Sequence, residues 1–148
     1  MKKEPFAVLS VNISREKGVQ KTPTQGADLI KDHGILDDAH AGPWHRQVSL
    51  LADEDIDTMR GKGVDLPFGV FAENITTRSV PLGDLPLGAK LEIGDAILEI
   101  TQHGKECHQG CAIFQAVGDC VMPRKGVFAK VVKGGQINSQ STCYYYTD

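Results

Sequence analysis

Ala89-Lys90-Leu91-Glu92-Ile93-Gly94-Asp95-Ala96-Ile97-Leu98-Glu99-Ile100-Thr101 reads as strand, turn, strand. Gly94-Asp95 is a tight-hairpin dipeptide in reverse order, and it separates Ala89–Ile93 from Ala96–Thr101. Upstream, Asn74-Ile75-Thr76-Thr77 is another short strand, with Gly83 and Gly88 marking turns in between. Downstream, Val127–Val132, Gly134-Gly135 and Cys143–Tyr146 read as two closing strands around a glycine turn. At the other end, Ala7–Ile13 carries apolar residues at alternate positions from Leu9 onward, the period-2 signal of a half-buried strand. The polar stretch from Ser14 to Gly26 reads as an exposed loop or an irregular hairpin. Short strands at close spacing with few helices predict a mainly β, barrel-like domain rather than an open parallel sheet.

Helices are few. Gln47–Leu51 is a short β-prone run, and Ala52–Arg60 follows it with acidic residues early, Ile56 and Met59 three apart, and Gly61 and Gly63 to stop it. His108–Val117 predicts a second helix, with Cys111, Ile113, Phe114 and Val117 on neighbouring turns. There is no fixed-period repeat, low-complexity tract or Pro/Ser-rich linker, so residues 1–148 are expected to form one domain.

A net charge of −3, with 41% hydrophobic and 24% charged residues, argues against broad affinity for nucleic acid or membranes. The basic start Met1–Pro5 is followed only by the short apolar stretch Phe6–Leu9, too short for a signal peptide. A cytoplasmic protein is therefore expected, where thiols stay reduced, and Cys107, Cys111, Cys120 and Cys143 read as thiols rather than bridges.

Three segments together resemble the MOSC family, named for the C-terminal domain of molybdenum-cofactor sulfurases, and in particular its small stand-alone bacterial members. Gly34–Gly42 running into His45–Leu51 is similar to the family's Gly-Asp-x-His-x-Gly and His-Arg-Gln-Val-Ser-Leu signatures. Phe71–Thr77 resembles its Gly-Glu-Asn-Ile-Thr motif, followed by the Leu-Pro-x-Gly-x-x-Leu-x-Ile-Gly run at Leu85–Gly94. Gly104–His108 falls where the family places its reactive cysteine, with Met122–Ala129 beyond it. The resemblance covers most of the chain from about Ile35 onward. It departs at Asp37 and Ala72, which stand where the family has glycine, at Glu106, which replaces a proline, and at Gln140-Ser141, which replaces a Gly-Asp turn. What it implies is a barrel of the type first described in a pyruvate kinase domain, and a sulfur-carrier or cofactor-binding role.

A cysteine that carries sulfur must be nucleophilic as thiolate. Cys107 has Lys105 two residues before it and His108 after it, and nearby positive charge or a helix start would lower its pKa. The competing reading is an unreactive buried cysteine. The same thiolate would also suit molybdenum as a direct ligand. Cys111 and Cys120 lack the Cys-x2-Cys knuckle of structural zinc sites, which leaves resolving thiol, core residue or zinc ligand open, whereas Cys143 reads as structural. His40 and His45 flank a Gly-Pro-Trp turn and are candidate acid/base or ligand groups, the alternative for His40 being to hold the loop in shape. Arg46 and Arg124 are candidates for an anionic pterin phosphate, against simple surface solvation. Glu73 and Asn74 are candidates to line the same pocket, the alternative for Asn74 being to cap a turn.

The leading expectation is a sulfurtransferase-like module in which Cys107 bears a persulfide. Molybdenum cofactor or a molybdoenzyme would be the acceptor. No pyridoxal-phosphate desulfurase domain is recognisable, so no bound pyridoxal phosphate is expected and an external cysteine desulfurase would be the donor. The alternatives are a non-catalytic molybdenum-cofactor or oxyanion binding module with Cys107 as ligand, a reductase module for N-hydroxylated compounds, and a zinc-stabilised interaction protein. No flavin, haem or iron–sulfur motif accompanies the reductase reading.

Overall fold

The computed structural model describes residues 2–16, 19–60, 66–104 and 126–147, apart from the side chains of Thr58 and Met59. In chain order these residues form β1 (Glu4–Ile13), β2 (Thr22–Thr24), β3 (Ala27–Ile30), β4 (Gly34–Ile35), β5 (Val48–Ala52), α1 (Asp53–Arg60) and β6 (Ile75–Arg78). A 3-10 turn at Leu82–Asp84 leads to β7 (Lys90–Ile93), β8 (Ala96–His103), β9 (Val127–Lys133), β10 (Gly135–Ile137) and β11 (Cys143–Tyr146). Among the described residues, no helix is long and apolar enough to cross a membrane. The helix expected over His108–Val117 lies outside the described residues.

Seven strands close into a barrel in the order β1-β11-β7-β8-β9-β5-β6 and back to β1, with β2 added beside β1. Closure removes the unpaired edges that an open sheet of this size would leave. The mainly β, barrel-type architecture expected from the sequence is the one observed. Strand β1 meets three partners along its length: Glu4–Phe6 pair with β11, Ala7–Val11 with β6, and Val11–Ile13 with β2. The pairing with β6 shifts register between Val8 and Ser10. That irregularity changes the phase of the strand, so Phe6, Val8, Ser10, Val11 and Asn12 are buried and Leu9 and Ile13 are only half-buried. Of the alternation read from Leu9 onward, Val11 lies in the core and Ile13 packs against it, while Leu9, at the register shift, stays half-buried because a bulge inserts one residue out of phase.

The decisive hairpin forms as read. Ile93 pairs with Ala96 across Gly94-Asp95, and Gly94 takes φ +58°, the positive value a two-residue loop requires at its first position in a type II′ turn. Leu91, Ile93, Ala96, Leu98 and Ile100 face the core with Val127, Ala129 and Val131 of β9. The glycine turn after β9 is a different matter. β9 pairs with β8 and β5, and β11 pairs with β1 and β7, so the two do not form a hairpin. Gly134-Gly135 instead lead into β10, which joins β3 and β4 in a second, three-stranded sheet. That sheet contributes Leu29, Ile35 and Ile137 to the same core.

Strands β5 and β6 run parallel, with Leu50 opposite Ile75, and parallel neighbours require a crossover. Helix α1 begins it and packs on β5 and β6 with Ile56 fully buried. All of β5 is buried, because the barrel covers one face and the crossover covers the other. At the end of the crossover Gly69 and Ala72 both hold positive φ, +89° and +64°. Asp37 does likewise at +70°. Ala72 and Asp37 are the positions where the resemblance leads one to expect glycine. The backbone shape is thus retained without the residue that adopts it freely, at a cost of roughly 1–2 kcal/mol for alanine and less for aspartate, which tolerates this region.

Ala72→Gly is expected to raise stability by about 0.5–1 kcal/mol after the gain in unfolded-chain entropy is subtracted, whereas Asp37→Gly should be near neutral. Gly69→Ala should cost more than about 2 kcal/mol, since its Cβ would meet the Lys21 carbonyl oxygen at 2.2 Å. Urea denaturation of the three variants checks all of this, and a destabilised Ala72→Gly would refute the strain assignment.

Candidate functional site

The loop between β4 and β5 carries His40, Trp44, His45 and Arg46, and its shape is set from beneath by a buried ion pair. Asp38 has no exposed side-chain surface, and its Oδ1 lies 2.8 Å from Nζ of Lys21, equally buried. The same carboxylate accepts the backbone N–H of Ser14 at 3.1 Å and that of His40 at 3.0 Å. Lys21 also donates to Ser14 Oγ at 3.1 Å. Burial alone would raise the Asp38 pKa, but the Lys21 ammonium and the two N–H donors outweigh it and hold the carboxyl below its usual value. His40 is anchored here, with Nδ1 4.0 Å from Asp38 Oδ2 and its carbonyl accepting Trp44 Nε1–H at 2.8 Å.

His45 and Arg46 belong to a second anchorage. His45 Nε2 is 2.8 Å and Arg46 Nε 3.0 Å from the same atom, Oε1 of Gln102. The Arg46 guanidinium also lies over the Phe128 ring, 5.1 Å from its centroid, and its Nη nitrogens have no partner among the described residues. Thr101 Oγ1 donates to the His45 carbonyl. This places both residues where β8 gives way to the chain leading to Lys105 and Cys107. Gln102 Nε2 donates to the Gly104 carbonyl at 3.0 Å, and Gly104 N–H donates to Gly126 O at 2.6 Å. The segment 105–125 therefore departs and returns at one hydrogen-bonded point. Cys107, Lys105, Arg124, Cys111 and Cys120 lie within it, outside the described residues.

Glu73 and Asn74 are both fully buried and bond to backbone. The Glu73 carboxylate accepts N–H from Gly69 at 3.0 Å and Phe71 at 3.2 Å, and the Thr76 hydroxyl at 2.8 Å. Burial raises its pKa, and these donors oppose the rise without cancelling it. Asn74 Oδ1 accepts Ser49 N–H at 3.0 Å, and its Nδ2 donates to Asn12 O at 3.1 Å. Between them they stitch β1, β5 and the crossover together. Cys143 is buried in β11, where loss of solvent pushes its thiol up to about 11, the state of a structural cysteine.

Lys21, Asp38 and Gln102 were not singled out from the sequence. Asp38 stands inside the Asp-Ala-His motif and was legible there. Nothing local marks Lys21, in a stretch read as loop or irregular hairpin. That stretch does form the β1–β2 hairpin, yet it buries a lysine. Gln102 is a half-buried polar residue near the end of an apolar strand, the one hint it offered. Among the described residues, no group of three or more His, Cys, Asp or Glu side chains is placed to hold a metal. A cleft of about 380 Å³ is lined by residues that include Ala52, Asp55, Val80 and Leu82, and none of the described candidate site residues borders it.

Residues 37–144 match the MOSC domain family. No curated protein matches the chain. Among solved structures, the YUAD protein from Bacillus subtilis is similar with a TM-score of 0.82 at 16% identity, over 99% of this chain and 98% of that one. YiiM from Geobacillus stearothermophilus gives 0.72 at 18% identity over 96% and 75% of the two chains. YiiM from Escherichia coli gives 0.68 at 14% identity over 98% and 71%. At these identities the likeness is one of fold.

Because the folded pKa of Asp38 lies below its unfolded value, its contribution to stability is complete above roughly pH 4–5 and is lost as the pH falls through the lowered value. Lys21→Met leaves that carboxylate buried without its cation and should cost about 3–5 kcal/mol at pH 7. The deficit should shrink in acid, because Asp38 without its cation takes up a proton at a higher pH than it does beside Lys21. Denaturant titrations at pH 7 and pH 3 check the pair, and a deficit that is constant with pH would rule out the electrostatic account.

Proposed function

Since the chain belongs to the MOSC domain family, we propose that it is a sulfur-carrier or sulfurtransferase-like module of molybdenum-cofactor metabolism, with Cys107 as the carrying residue. The observation that supports this most is the convergence of His45 and Arg46 on Gln102, beside the point where the chain leaves β8 toward Cys107. An imidazole and a guanidinium at that point supply a proton acceptor and a fixed positive charge, the two aids a thiol needs to react as thiolate.

In the proposed reaction the Cys107 thiolate attacks the terminal sulfur of a donor persulfide. A sulfur–sulfur bond forms at Cys107, the donor's own bond breaks, and the donor leaves as a thiolate, so no oxidant or reductant is consumed. The donor is an external cysteine desulfurase. The acceptor is molybdenum cofactor or an enzyme maturing around it. Arg46 suits the anionic end of such an acceptor, because its Nη donors are uncommitted among the described residues while Nε and the ring of Phe128 fix the guanidinium plane. Arg124 and Lys105 would add charge, and His40, held by Asp38, would frame the approach. The cytoplasm, where thiols are kept reduced, is the setting this chemistry calls for.

Intact-protein mass spectrometry under non-reducing conditions tests this directly, after incubation with a cysteine desulfurase and cysteine. Wild type is expected to gain one reducible sulfur atom and Cys107→Ser none. No gain in wild type, with the desulfurase shown to be active, would discard the carrier role for this donor and leave binding of the cofactor or an oxyanion with Cys107 as ligand.

A further inference from the structure

We propose that Gln102 is a positioning residue that dictates which nitrogen of His45 carries the proton, an inference resting on the reading that His45 serves Cys107 chemistry. Three contacts orient the Gln102 amide. Oε1 lies 3.0 Å from Arg46 Nε and 2.8 Å from His45 Nε2, while Nε2 of the amide lies 3.0 Å from the Gly104 carbonyl oxygen. A guanidinium N–H only donates and a carbonyl only accepts. Turning the amide over would set donor against donor at Arg46 and acceptor against acceptor at Gly104. The atom facing His45 is therefore the oxygen, whatever protons are assigned elsewhere.

An oxygen that accepts from Arg46 accepts from His45 as well, so the hydrogen sits on Nε2. A neutral imidazole carries only one N–H. Nδ1 is left as the lone-pair nitrogen, and it has no partner among the described residues. Nδ1 is thus the proton-accepting atom of His45. The group that keeps this arrangement is Arg46, whose Nε–H donates to Oε1 and has no capacity to accept. The His45 main chain is pinned separately by Thr101, which leaves ring tautomer, rather than loop position, as the property Gln102 controls. In the proposed reaction Nδ1 is the atom that would take the proton released as the Cys107 thiol becomes thiolate.

Long-range 15N–1H NMR of the His45 ring, recorded where the imidazole is neutral, tests the assignment in wild type, Gln102→Leu and Gln102→Glu. Wild type is expected to show only the Nε2–H form. Gln102→Leu has no acceptor and should drift toward the mixture of a free imidazole, with Arg46 Nε–H exchange faster by roughly tenfold or more. Gln102→Glu keeps two acceptor oxygens and should restore both signals, which a purely space-filling role would not. A wild-type Nδ1–H form, or an unchanged ring spectrum in a folded Gln102→Leu, overturns the proposal. Should Gln102→Leu fail to fold, an Nδ1–H form in Gln102→Glu overturns it equally. None of these readings requires sulfur transfer: if Cys107 gains no sulfur while wild type shows Nε2–H, the carrier role falls and the assignment of Gln102 stands.

Discussion

Lys21 and Asp38 face each other 2.8 Å apart with no side-chain surface open to solvent. A single charge at that depth would be several kcal/mol too costly to keep, and the pair survives only because each partner is surrounded by further hydrogen bonds. Those bonds reach far. Lys21 N–H donates to Gly69 O, Gly69 N–H to the Glu73 carboxylate, and Asn12 Nδ2 to both the Glu73 carbonyl and Thr76 Oγ1. The β1–β2 hairpin, the loop bearing His40, and the crossover between β5 and β6 are thereby parts of one buried polar unit. Replacing the ion pair by apolar side chains of the same volume need not weaken such a protein. What the pair supplies is selection, since a slip of any one segment strands a charge or an N–H without its partner.

The barrel was legible because its strands announce themselves. The Gly94 hairpin, the run Gln47–Leu51 and the strand after Gly126 all carry period-2 or continuous apolar signals that a closed sheet satisfies. The failures are informative in kind. The register shift between Val8 and Ser10, which leaves Leu9 half-buried while Val11 reaches the core, has no mark in composition. The glycines at 134 and 135 were taken for a hairpin because local pattern cannot tell a reversal from a change of sheet, and here β10 crosses to β3. Pairing partners distant in the chain are decided by packing of the whole core, which no window of residues contains.

The candidate site divides along the same line. His40, His45 and Arg46 were found through a motif, and the structure brings the latter two onto one amide oxygen. Glu73 and Asn74 were found through the same kind of motif, yet they are fully buried and hold backbone. A motif records which side chains a fold requires without distinguishing those that meet a ligand from those that hold the chain. Lys21 and Gln102 are the converse case, residues of ordinary type whose importance arises only from what the fold places beside them.

The bond between Gly104 and Gly126 joins the two ends of the span between them. A chain that leaves and re-enters a scaffold at one clasped neck is topologically a cassette. Closure entropy rises only slowly with length, by about 0.6 kcal/mol for each doubling, so the length of the joining chain weighs little on that bond. The clasp thereby fixes the separation between the end of β8 and the start of β9 independently of how many residues join them.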